Sequence, residues 1–66
     1  MMNNSITYKA ARVNAGLTQK EAAERLNITV QTLKRWESYK SFPTVDHFMD
    51  LCNLYGCPVN SIKVSA

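Results

Sequence analysis

Gln31, Lys34 and Arg35 stand within five residues of one another, at a spacing that brings side chains to one side of a helix. An amide offers a donor and an acceptor together, which matches the major-groove edge of adenine. A cationic donor matches guanine, and an apolar residue such as Val30 can meet a thymine methyl group. The same residues also make an ordinary solvated helix face. What separates the two cases is whether other elements hold that face outward and complete it with contacts to a polyanion.

Charge points the same way. Residues 1–40 carry seven Lys or Arg against three Glu, whereas residues 41–66 carry Lys63 against Asp46 and Asp50. The net charge of +3 is therefore concentrated in one part of the chain, which suits a polyanionic partner. Catalytic chemistry has little to work with. His47 is the only histidine and reads as an exposed or partly exposed helix residue. No Ser–His–Asp or Cys–His–Asn set, acid–base pair or phosphate-binding glycine loop is present. Cys52 and Cys57 read as small reduced hydrophobes, because a zinc site needs about four ligands and His47 alone could join them. No enzyme activity, metal or cofactor is expected. The chain has no apolar run long enough to span a membrane, and its start lacks the pattern of a signal peptide. A cytoplasmic protein is expected.

The elements that must position these residues form an all-α pattern of five helices, in one domain over residues 1–66 with its core at about 6–63. The first helix is predicted from about Ile6 to Asn14, with Ser5 as cap and Gly16 beyond its end. The second opens with the capping box Thr18-Gln19-Lys20-Glu21, buries Ala22, Ala23 and Leu26, and ends near Asn27, a residue that tolerates a left-handed turn. The third runs from Thr29 to about Ser38. It turns Leu33 and Trp36 inward and leaves Val30, Gln31, Lys34 and Arg35 on the surface. Phe42-Pro43-Thr44 links to a fourth helix, about Val45 to Tyr55, with Val45, Phe48, Cys52 and Tyr55 as its apolar stripe and Gly56 as its stop. Pro58 starts a short last helix that buries Val59 and Ile62. The spacing of Trp36, Phe48 and Tyr55 favours core packing over base stacking. Two short helices joined by a tight turn, at about 18–38, make a helix-turn-helix.

At this point the sequence resembles the lambdoid repressor and Cro-like, or XRE, family of helix-turn-helix proteins. The residues that carry the resemblance are Gly16-Leu17-Thr18-Gln19, then Ala22 through Thr29, Thr32-Leu33 and Arg35-Trp36-Glu37. Pro43, Val45, Leu51, Gly56, Val59 and Ile62 continue the pattern. The resemblance implies a compact five-helix lambda-repressor-like DNA-binding domain whose third helix enters the major groove. Base contacts would come from Thr29, Val30, Gln31, Lys34 and Arg35. It implies that Gln19, at a helix start favourable to anions, holds a backbone phosphate, with Ser38, Lys40 and Ser41 as further phosphate contacts. Arg12 is implied to pair with Glu37 and to touch DNA at its edge. Cys57, Pro58, Val59, Asn60 and Ile62 are candidates for a homodimer contact around the last helix. Asn27 and Tyr39 depart from the pattern, standing where the family favours glycine. If position 39 needs a positive φ, Tyr39 carries strain. The function implied is a transcriptional regulator, by family default a repressor, of phage, prophage or bacterial origin, acting on a double-stranded DNA operator. The alternative is a protein-interaction module, such as an antitoxin or anti-repressor subunit, on the same fold.

Overall fold

Threonines at 7, 18, 29 and 44 start every α-helix in the same manner. The computed structural model describes residues 5–64. In it, each of these threonines has extended backbone, and its hydroxyl accepts the N–H of the residue three further on: Ala10 at 3.0 Å, Glu21 at 3.1 Å, Thr32 at 3.1 Å and His47 at 3.3 Å. Each cap satisfies an N–H that the helix itself cannot reach. The helices are α1 Tyr8–Asn14, α2 Gln19–Leu26, α3 Val30–Glu37 and α4 Val45–Tyr55, followed by a 3-10 turn at Val59–Ser61. At Thr18 the Glu21 carboxylate also accepts the Thr18 N–H at 2.9 Å, which closes the capping box. That bond holds the Glu21 carboxyl below its usual range.

The helices also end alike. Gly16, Asn27, Tyr39 and Gly56 have φ between 59° and 77°, in the left-handed region. The residue after each donates its N–H to a carbonyl five residues back: Leu17 to Arg12 at 3.2 Å, Ile28 to Ala23 at 3.0 Å, Lys40 to Arg35 at 2.9 Å and Cys57 to Cys52 at 3.1 Å. This is the Schellman closure, and it requires a left-handed residue. Glycine supplies one freely and asparagine does so at small cost, whereas a tyrosine there is strained by about 1–2 kcal/mol. The φ of 61° at Tyr39 is the positive value that the sequence made conditional.

The core lies where α2 packs on α3 and α4, with α1 across one side. Ala22 and Ala23 are fully covered and let the backbones come close, while Leu33, Trp36, Leu51 and Tyr8 fill the space between helices. Among the described residues no helix is long and apolar enough to cross a membrane.

Four local expectations are corrected. Thr7, not Ser5, caps α1. Ile6 is extended and forms a parallel bridge with Ile62, with Ile6 N–H donating to Ser61 O and Lys63 N–H to Ile6 O, both at 2.8 Å. The last helix is a single 3-10 turn with Pro58 before it. Val59 is 46 % exposed, and Ile62 is buried through the bridge and not through a helix. Val45 is 78 % exposed, since it begins α4 a full turn before Phe48, past the cover of the neighbouring helices. Val30 is half-buried against the core, on the side of α3 that carries Leu33.

Candidate nucleic-acid interface

α3 is held at its C-terminal end by a buried polar junction. Arg12, on α1, donates from Nε to Glu37 Oε2 at 2.6 Å and from Nη2 to Glu37 Oε1 at 3.3 Å. Its Nη1 donates to the Leu17 carbonyl at 2.8 Å. Gln19, at the start of α2, donates from Nε2 to Glu37 Oε1 at 3.0 Å. One carboxylate thus gathers α1, α2 and α3. The Arg12 guanidinium is held above its usual value chiefly by this hydrogen bond to Glu37. Arg12 is 7 % exposed and each of its nitrogens is engaged. That geometry commits Arg12 to the ion pair and to the Leu17 carbonyl, and leaves a second hydrogen on each Nη.

The opposite face of α3 is open. Gln31, Lys34 and Arg35 are exposed, and their side chains have no hydrogen bond or ion pair among the described residues. Glu37 is the sole acid of α3 and is spent on Arg12, so the exposed charge of the helix is that of Lys34 and Arg35. Thr29 is exposed, but its hydroxyl caps α3 and lies 2.9 Å from the Thr32 hydroxyl. When Thr32 is the donor of that pair, the Thr29 O–H stays available to a partner, beside its methyl group. Val30 flanks this face with part of its side chain in the core.

Around the open face lie the other anticipated residues. Gln19 is half-buried, and the second hydrogen of its amide is uncommitted. Ser38 donates its hydroxyl to the Arg35 carbonyl at 3.2 Å. Lys40 is exposed and Ser41 half-exposed, with both backbone N–H groups on the Arg35 carbonyl, at 2.9 and 3.4 Å. The sequence reading missed two participants. Thr32 shares the hydroxyl of Thr29, and the three-residue spacing of the two threonines was the available signal. Tyr39 is the other. Its ring lies 5.3 Å from that of Tyr8 and 6.4 Å from that of Phe42, and its hydroxyl donates to the Lys63 carbonyl at 2.5 Å.

Among the described residues no three His, Cys, Asp or Glu side chains gather where they could hold a metal ion. The tight α2–α3 turn, the shared junction at Glu37 and the open α3 face are the parts of a helix-turn-helix. The helix-turn-helix family model matches residues 9–62. The chain belongs to this family. It is an XRE-type family of DNA-binding regulators and not of enzymes. The chain is also 49 % identical over 47 residues to the HTH-type transcriptional regulator ImmR of Bacillus subtilis (strain 168). The aligned stretch is 71 % of this chain and 37 % of that regulator, so the chain spans little more than a third of its relative's length. No solved structure matches the chain.

Proposed function

We propose that this chain is a sequence-specific DNA-binding transcription regulator that lays α3 in the major groove of a short operator. The observation that carries the reading is the open α3 face. Gln31, Lys34 and Arg35 are unpartnered and exposed on a helix whose orientation is fixed from behind by Arg12, Glu37 and Gln19. Gln31 and Arg35 read base edges, with Lys34, Val30 and Thr29 beside them. Gln19, Lys40 and Ser41 hold phosphates. Ser38 joins them once its hydroxyl releases the Arg35 carbonyl. The likeness to a protein named as a transcriptional regulator supports this role. Repression, an origin in a phage, prophage or bacterial chromosome, a cytoplasmic location and pairing of two copies through the region of Cys57–Ile62 complete the proposal.

Selection from a pool of random duplexes at physiological salt tests it. One enriched motif, lost in Gln31→Ala and Arg35→Ala, is the expected result. A palindromic motif with half-sites about one helical turn apart would add the dimer. Binding that is weak, blind to sequence and erased by salt would sink the operator reading and favour a protein partner.

A further inference from the structure

Three of the four helix ends are closed by the same division of labour. The left-handed residue is small or polar (Gly16, Asn27, Gly56), and the residue after it is apolar and packs on the core: Leu17, Ile28 and Cys57. That contact anchors an ordinary Schellman turn. At the end of α3 the roles are exchanged. The left-handed residue is Tyr39, which itself packs on the core, and the residue after it is Lys40, exposed and outside the core. The Tyr39 ring lies against Tyr8, a fully buried residue, and its hydroxyl holds the Lys63 carbonyl. Lys63 is itself fixed to Ile6 by a backbone hydrogen bond of 2.8 Å. A strained residue is thus retained where glycine would close the turn without strain, and its side chain ties the turn to α1 and to the paired terminal segments.

We propose that Tyr39 is a positioning residue for DNA binding: by carrying the anchor of the α3 turn in its own side chain, it frees the next position for Lys40 and holds that lysine against a backbone phosphate. This rests on the proposed DNA-binding function and assigns a role to a residue that touches no DNA. Glycine at 39 keeps the turn closed but lets the Lys40 side of it swing, because the ring contact on Tyr8 and the hydroxyl bond to the Lys63 carbonyl are gone.

The test uses the full chain and the duplex that it selects, with affinity measured across a salt series. Tyr39→Gly should remain folded and enrich the same motif. It should lose about three- to tenfold in affinity, and the slope of log affinity against log salt should fall by about 0.9, the value of one phosphate contact. Lys40→Ala should cost the same in the parent chain and nothing further in the Tyr39→Gly background. Should the glycine variant not fold, Tyr39→Asn reads the same way, since asparagine accepts the left-handed region without supplying the ring. An unchanged salt slope in a folded position-39 variant overturns the proposal. So does a Lys40→Ala loss that is equal in both backgrounds, or absent from both. If the parent chain selects no duplex, the DNA-binding reading fails first and this role falls with it.

Discussion

The two sides of α3 treat polar groups in opposite ways. On the inner side Glu37 accepts hydrogen bonds from both Arg12 and Gln19, and Arg12 places its last nitrogen on the Leu17 carbonyl. On the outer side Gln31, Lys34 and Arg35 have no such partner among the described residues. Buried charge must be matched or it destabilises the fold, whereas charge meant for a partner has to be left over. The inner side fixes where α3 lies, and the outer side is what α3 presents. Substitutions on the two sides should therefore separate stability from binding.

The largest effect belongs to the inner side. Glu37→Ala leaves the buried Arg12 charge uncompensated, which costs about 3–5 kcal/mol. A chain of 66 residues has roughly 3–10 kcal/mol of stability in total. The variant should lose a large part of that stability and melt far lower by circular dichroism. Arg12→Met combined with Glu37→Leu removes both charges and should recover most of the loss. DNA affinity should not recover with it, because Gln19 then has no carboxylate to hold it. Recovery of both together would mean that the junction does nothing for the outer face.

Arg35→Ala and Gln31→Ala are the outer counterparts. Neither side chain supports the fold, so the melting transition should move by no more than the equivalent of about 0.5 kcal/mol. Each base contact is worth about 1–3 kcal/mol of discrimination, so affinity for the selected duplex should fall by about tenfold or more. A loss of stability instead would place these residues in the fold and blur the division between the two sides.

What the sequence made legible follows the same division by range. Caps at Thr18, Thr29 and Thr44 and the turns at Gly16, Asn27 and Gly56 are local chemistry, and they appear where the residue types put them. Arg12 and Glu37 stand 25 residues apart. No periodicity links them, and only the family resemblance suggested the pair. The Ile6–Ile62 bridge joins the two ends of the described chain, and it drew Ile6 out of the predicted first helix. For Val45 the spacing gave the apolar face but could not give how far neighbouring helices extend over it, and for Val30 it gave the surface where the fold half-buries the residue beside Leu33. The exposed positions of Gln31, Lys34 and Arg35 were legible from helical spacing alone. That Ser38 spends its hydroxyl on the Arg35 carbonyl was not, because it depends on its rotamer.

A smaller effect tests whether the local caps matter beyond the helices they start. Thr18→Ala removes the acceptor for the Glu21 N–H and leaves only the half of the capping box in which the Glu21 carboxylate accepts the backbone N–H of position 18, at a cost of about 1 kcal/mol. Gln19 is the next residue, so fraying of this turn reaches the outer face through Glu37. The variant should melt lower and also bind DNA somewhat more weakly. Thr44→Ala, which caps α4, should lower the melt similarly and leave binding unchanged once the folded fraction is accounted for. Equal binding losses in the two variants would mean that α2's start has no special link to the interface.

The smallest effect at neutral pH comes from the one inner polar atom that departs from the pattern. The Tyr55 hydroxyl is buried and has no hydrogen-bond partner among the described residues. Burial, aided by the negative charge of Glu37 and opposed by the positive charge of Arg12, pushes its pKa up to about 12. An unpartnered buried hydroxyl stabilises nothing, so Tyr55→Phe should leave stability at pH 7 unchanged or slightly higher. The difference emerges in alkali. An unfolded tyrosine ionises near pH 10, while the folded one holds its proton until about pH 12. Over that window the unfolded state binds fewer protons than the folded state, so stability falls as pH rises. Tyr55→Phe should flatten part of that fall in urea melts taken between about pH 9 and 11.5. A remainder is expected from Cys52, whose pKa burial pushes up to about 11, and from Tyr8, whose pKa is also raised by burial. A loss of more than about 1 kcal/mol in Tyr55→Phe at pH 7 would mean that the hydroxyl is hydrogen-bonded after all. The inner side of α3 would then be satisfied throughout, and its contrast with the outer face would be complete.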